Sequence, residues 1–309
     1  MPDFAVRLFR RADREQVTRL VNAHAAAVMP GAAASVNAVL NQFEREPDEF
    51  IVGPWVEERQ TLVAEQGGSV VAAALLVRHR DSPDVGHGFR NAGDIRWLVF
   101  WPMAPAGNPY WSDGLSAAQG VMDACLAQFG RWQVERHYAD GALPVSGVYG
   151  IPEQWPHIAQ LYTDNGFVPT PGDTEILHLA DLADVPQPGA APLPRLRLER
   201  VVGINGTRLS ANLGHTCVGY IEVDVLDPVE RHPRHGALAD IGNLHVSEDH
   251  RRLGVGTWLL QHAACWLRLG HADRLLHYAA PDQTDQIAFA EHNHFRQITR
   301  TQRGWQRPT

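Results

Sequence analysis

The sequence predicts an α/β chain of two domains, and three observations predict it. Its 309 residues exceed the roughly 100 to 200 that one domain usually holds. Strand-like alternation of period two gives way repeatedly to apolar residues at helical spacing. The second half also repeats short patterns of the first in the same order, as a diverged internal duplication would. With 20% charged and 44% hydrophobic residues, the composition is that of a globular chain able to bury real cores, which excludes wholesale disorder and fibrous repeats.

The elements follow in order. Val6 to Arg10 alternates as a strand, and Asp13 with Gln16 reads as a capping box ahead of the apolar positions Val17, Leu20 and Val21 of a helix. Leu62 to Glu65 and Ser69 to Val77 flank Gln66-Gly67-Gly68, a hairpin signal, and Ile95 to Trp101 is a further strand stopped by Pro102. Residues 184–194, dense in proline and glycine, read as a linker. Beyond them Leu196 to Arg200, Arg208 to Leu213 and Thr216 to Val225 are strand candidates. Asp240-Ile241-Gly242-Asn243-Leu244-His245-Val246 echoes Asp94-Ile95-Arg96-Trp97-Leu98-Val99-Phe100, and Asn293-His294-Phe295 echoes Asn165-Gly166-Phe167.

Charge narrows the function classes. A net charge of −8 argues against a nucleic-acid backbone as partner, which needs clustered positive charge. The sequence holds no lysine, so lysine nucleophiles and the lysine-dependent phosphate loop are excluded. No apolar run approaches the length of a membrane span, and Met1-Pro2-Asp3-Phe4 opens no leader-like pattern, so a cytoplasmic address is expected. The 16 histidines form no H-E-x-x-H, and Cys125, Cys217 and Cys265 are scattered without C-x-x-C spacing, so neither a metal site nor a disulfide framework is expected.

The chemistry concentrates in residues 239–269. A strand ending Leu244-His245-Val246 feeds the polar turn 247–250, then Arg251-Arg252-Leu253-Gly254-Val255-Gly256-Thr257. A helix follows, with Leu259, Leu260, Ala263, Ala264 and Leu267 on one face and Gly270 at its end. Gly254 and Gly256 allow close approach of a ligand, so amides of the loop and first turn can donate to phosphate oxygens, aided by the helix dipole and by Arg251 and Arg252. The same glycines could serve only the geometry of a strand-to-helix turn. G-x-G-x-x-G is not met, because position 259 is Leu259.

Arg251-x-x-Gly254-x-Gly256, with Leu244-x-Val246 before it and the amphipathic helix after, resembles the acyl-CoA pyrophosphate loop of the GNAT superfamily of N-acetyltransferases. The rest of residues 195–309 fits: Arg274 to Tyr278 is similar to the family's fifth strand, Ile287 to His292 to its fourth helix, and Phe295 to Trp305 to its closing strands. The resemblance implies two GNAT-like domains in tandem, each a mixed, mostly antiparallel twisted sheet flanked by helices, a layout similar to that of mycothiol synthase. The domains are read as 1–183, a linker 184–194, and 195–309. It also implies that Leu244, His245 and Val246 line the pantetheine arm of acetyl-CoA and that residues 251–257 hold its diphosphate. Direct acetyl transfer to a primary amine of a small molecule or peptide follows, with no nucleic acid or membrane as partner and oligomeric state left open.

An ammonium cannot attack, so a base is needed. Asp240, where some family members carry a carboxylate, is the first candidate; it could equally be a strand-end aspartate bonding a turn. Glu222 and Asp224, on one strand face, are weaker candidates for a base and could bind a cationic acceptor. The family's proton-donating tyrosine falls at Ala290, and its usual glycine at His294. Tyr278 or a nearby histidine is left as donor, unless the thiolate departs unaided; Tyr278 also reads as an ordinary strand residue. The first half keeps Tyr162 before Asn165-Gly166-Phe167, but Trp101 to Tyr110 is proline-rich where its phosphate loop should stand. Ala290 keeps a rival open: a non-catalytic acyl-CoA-binding sensor or partner-binding module.

Overall fold

The computed structural model describes residues 4–44, 55–101, 114–204, 206–226 and 237–308. The chain divides into two compact units, Met1–Thr174 with Arg300–Thr309, and Glu175–Thr299. Among the described residues no helix is long and apolar enough to cross a membrane.

In the first unit, β1 (Ala5–Leu8) leads to α1 (Arg14–Val28) and α2 (Val36–Glu44), then β2 (Val56–Gln66), β3 (Ser69–His79) and β4 (Ala92–Phe100). After α3 (Gly114–Trp132) come β5 (Arg136–Ala139), β6 (Ile151–Pro152), α4 (Pro156–Asp164) and β7 (Val168–Pro169). Helix α1 forms where its apolar period predicts it, burying Val17, Leu20, Val21 and Val28. The expected capping box does not form. Asp13 accepts the Arg10 N–H at 2.8 Å and Arg7 at 2.7 Å, while Gln16 reaches instead to the Val70 N–H at 2.8 Å. The β2–β3 hairpin turns at Gly67 and Gly68, with φ of 56° and 80°. Both values are positive, as a tight hairpin turn matching the twist of its strands requires.

The second unit runs β8 (Thr174–Asp181), β9 (Leu196–Gly203), β10 (Gly206–Leu213), β11 (Thr216–Leu226), β12 (Ala237–Val246), α5 (Val255–Leu269), β13 (Ala272–Ala279), α6 (Thr284–His292) and β14 (Arg296–Gln302). Its sheet is ordered β14-β8-β13-β12-β11-β10-β9. It is antiparallel through β9, β10, β11 and β12, and parallel between β12 and β13. The last strand, β15 (Trp305–Arg307), belongs to the first unit, whose sheet is ordered β1-β2-β3-β4-β5-β15-β7.

The unit boundaries therefore differ from those read off the sequence. Residues 175–183 and 300–309 change sides, because β8 pairs along β13 and β15 pairs with β5. Such pairing between strands distant in sequence leaves no local signal. Nor is 184–194 a free linker. Arg268 of α5 donates to the carbonyls of Leu182 and Val185, and Val185 joins the core beneath that helix.

The repeated sequence patterns occupy matching places. Strands β4 and β12 are each antiparallel to the strand before and parallel to the strand after. Asn165 and Asn293 each donate from Nδ2 to the carbonyl four residues back, at 2.8 Å in both helix ends. The following residue is left-handed in both, Gly166 at φ 80° and His294 at φ 65°.

Helix α5 anchors the second unit's core. Val255, Leu259, Leu260, Ala263, Ala264 and Leu267 pack in one cluster with Leu209, Ala211, Ile221, Val223, Ala239 and Leu275 from the sheet. Leu259→Ala is expected to cost about 2 to 5 kcal/mol through lost burial and the cavity left behind. A urea unfolding curve that moves less than the low end of that range would show the site collapsing around the smaller side chain.

Candidate functional site

The site begins where two parallel strands part. Strand β12 pairs with β13 only from Ala237 to Asp240, the last register being Asp240 with Leu276, yet it stays paired with β11 as far as Val246. From Ile241 onward one edge of β12 is therefore open. The Ser247 N–H donates across to Val218 of β11 at 2.9 Å. By the alternation of an antiparallel ladder, the backbone groups of Leu244 and Val246 then face the opposite way, into the gap left by β13. These two residues turn their backbone groups toward the fork, where the Val246 carbonyl already accepts from Arg251 Nε. His245 faces β11 with its backbone, and its exposed ring lies 5.7 Å from that of Tyr220.

The loop that follows closes the wide end of the fork. Gly254 takes φ 82°, the left-handed region, and caps α5. Arg252 is also left-handed at φ 59°, so the chain turns twice in three residues before the helix starts. The Trp258 N–H donates to the Gly254 carbonyl at 3.0 Å. The N–H groups of Val255, Gly256 and Thr257 consequently precede the helical ladder and have no acceptor within it. Gly256 is pressed from beneath, since a Cβ there would lie 3.2 Å from Phe289. Arg251, Arg252, Leu253 and Gly254 are exposed. Arg251 is partly committed to the loop itself: Nε donates to the Val246 carbonyl at 3.0 Å, and Asp285 of α6 stands 3.9 Å away. Its anchoring sets the loop against the strand end, while Arg252 keeps its charge toward solvent. The result is a concentration of amide donors and positive charge at one helix N-terminus, suited to an anionic group.

Asp240 stands at the narrow end of the fork. It is the cross-strand partner of Asp224 on β11. Burial, and next the charge of Asp224, push its carboxyl up to about 6. A carboxylate at that value is largely ionised at neutral pH yet basic enough to take a proton. Of the other two acidic candidates, Glu222 is not available. It is buried and its Oε1 accepts from Arg208 Nε at 2.6 Å, so its charge is already matched.

Residues 177–295 match the family model described as Acetyltransferase (GNAT) family. Along the whole chain the fold is similar to that of a tandem GNAT protein from the clavulanic acid biosynthesis pathway, at 15% identity, covering 98% of both chains with a TM-score of 0.63. The chain has the fold of a tandem GNAT protein, and its second unit carries the match to the family model. It is also similar in fold to a GCN5-related N-acetyltransferase from Sphaerobacter thermophilus, at 15% identity, covering 100% of this chain and 97% of the other, with a TM-score of 0.58. No curated protein matches the chain.

The matched segment falls within the second unit, and its start at residue 177 includes the strand β8 that the sequence reading assigned to the first domain. The remaining site candidates of this unit are less complete. Tyr278 lies on β13 two residues past Leu276, hence on the same sheet face as Asp240, and it is half-buried. His277, the neighbouring histidine, points to the other face. It is buried, Nε2 lies 3.3 Å from Gln286 Oε1, and burial lowers its pKa to about 4, so it is neutral and a poor source of a proton at pH 7. Ala290 is fully buried in α6. In the first unit Tyr162 is also fully buried and donates to the Asp140 carbonyl at 3.0 Å. The proline-rich residues 102–110, read as a lost phosphate loop, lie outside the described residues.

Two features escaped the sequence. Helix α3, the first-unit counterpart of α5, was not read, although the helical spacing of Ala117, Ala118, Val121, Met122, Cys125 and Phe129, all buried, could have shown it. The pairing of Asp224 with Asp240 had no such signal, because it depends on the register of two strands joined by residues 227–236.

Proposed function

We propose that the second unit transfers an acetyl group from acetyl-CoA directly to a primary amine of a small molecule or peptide. The observation that carries this reading is the fork itself. An open strand edge, a helix N-terminus rich in free amides and a carboxylate held near 6 converge on one end of the sheet. In this reading the amides of residues 252–257, with Arg252, hold the diphosphate, and the backbone groups of Leu244 with the Val246 N–H bond the pantetheine amides, the Val246 carbonyl being held by Arg251. The thioester then reaches toward Asp240.

Asp240 takes a proton from the incoming ammonium, directly or through water. The freed nitrogen attacks the thioester carbonyl, the C–N bond forms, and the C–S bond breaks to release the thiolate. In this reading Tyr278, on the Asp240 face, gives its proton to that sulfur and takes up the second proton that the amide nitrogen sheds. Holding the two reactants in one fork supplies most of the acceleration such a transfer needs.

Burial of Ala290 at the family's usual tyrosine position favours a second reading, a sensor that binds acyl-CoA without turnover. The two separate in one experiment: thiol release from acetyl-CoA across a panel of amines, beside calorimetric binding of coenzyme A. Amine-dependent release of thiol is expected. Tight binding with no release for any amine would establish the sensor instead.

A further inference from the structure

Building on the transferase reading above, we infer that Asp224 is a specificity-determining residue, and that the acceptor is a cationic amine whose reacting nitrogen has no carboxylate on the adjacent carbon. The inference starts from the face of the sheet that Asp240 shares. In register, Asp224 and Asp240 are direct cross-strand neighbours, so their side chains leave the sheet on the same side. Like charges placed directly opposite are unfavourable in a sheet, and among the described residues no cation offsets the push of Asp224 on Asp240.

The surrounding groups make this clear. From β10, Arg208 is committed to Glu222, in a salt bridge of 2.6 Å. From β11 itself, Asp224 is exposed, and its Oδ1 accepts the N–H of Val225 at 2.9 Å. From β13, the residue in register with Asp240 is apolar Leu276, with Arg274 and Tyr278 two residues to either side. From β12, Asn243 is exposed and donates to the Tyr220 hydroxyl at 3.1 Å. The face therefore presents a pair of carboxylates at Asp224 and Asp240, with Arg274 as the cation on β13, and a second oxygen of buried Glu222 that accepts no hydrogen bond among the described residues.

An ammonium bridging Asp224 and Asp240 relieves their repulsion and delivers its proton to the base in one step. An α-amino acid brings its own carboxylate to the same place and is repelled. Asp224 thus acts twice, by attracting the amine and by keeping Asp240 basic.

The test compares alanine with alaninamide as acceptors, which differ only in masking the carboxylate, and repeats the pair in Asp224→Asn and Asp224→Glu. Each amine is compared at equal concentration of its free-base form. In the native chain alaninamide should exceed alanine at least about tenfold in kcat/KM. Asp224→Asn should compress that ratio toward one and move the acidic limb of the pH profile below its native midpoint, while Asp224→Glu should restore both. Equal use of the two acceptors by the native chain, or an unchanged ratio and pH limb in Asp224→Asn, would overturn the inference. Failure of the transferase reading looks different, since no amine then releases thiol from the native chain.

Discussion

Gly254→Asp is expected to weaken coenzyme A binding at least about 100-fold while leaving the chain folded. Two physical effects act at that position. The residue sits at φ 82°, where a Cβ costs roughly 1 to 2 kcal/mol, and the new Cβ would meet Pro192 at 3.3 Å, tight enough that the proline side chain must give way slightly. These are modest strains that lower the melting temperature by a few degrees. The carboxylate is the larger effect. It enters the ring of amides proposed to hold a diphosphate, and two anions about 4 Å apart at an effective dielectric near 20 repel by about 4 kcal/mol. Gly254→Ala separates the two, since it carries the strain without the charge and should retain affinity within about tenfold. Titration calorimetry with coenzyme A reads all three chains. Undiminished binding in the aspartate variant would show that the diphosphate lies elsewhere. A native chain that fails to bind at all would leave the glycines as turn geometry only.

The helix behind that loop was the most legible part of the molecule, and the reason is local. An amphipathic period, a left-handed glycine before it and a glycine after it all act within a few residues, so Val255–Leu269 forms where the pattern predicts. The β2–β3 hairpin was legible for the same reason, since two glycines in succession admit few turns. Strand exchange between the halves was not legible. Strand β8 carries the alternating pattern of any half-buried strand, and nothing in Thr174–Asp181 records that its partner is β13, about a hundred residues away. The site divides along the same line. The loop residues 251–257 are one continuous segment, whereas the neighbour that adjusts Asp240 comes from another strand and is fixed by register alone. Arg251 shows a third limit. Its charge was readable, but not that its Nε would hold the end of β12 in place.

Asp240→Asn is expected to lower kcat by about 10² to 10⁴, the range for loss of a positioned base, with coenzyme A affinity unchanged. Its pH dependence gives the more exacting check. In the native chain the acidic limb of kcat/KM should have its midpoint near 6, because burial and Asp224 hold the carboxyl there and only the ionised form can accept a proton. In the variant that limb should vanish, leaving a low, flat rate through the same range. Stability must move in the opposite sense if the cause is electrostatic. A carboxyl whose folded pKa lies above its unfolded value of 3.8 favours the folded state while protonated, and loses that advantage as pH rises through about 6. At pH 8 the native chain therefore carries a half-buried charge that disfavours folding, and the asparagine variant, which lacks it, should unfold at no lower temperature. Lost turnover with undiminished stability assigns a proton-transfer role to Asp240. Retained turnover, or an acidic limb that persists in the variant, would reduce Asp240 to a strand-end aspartate and move the search for the base to bound water.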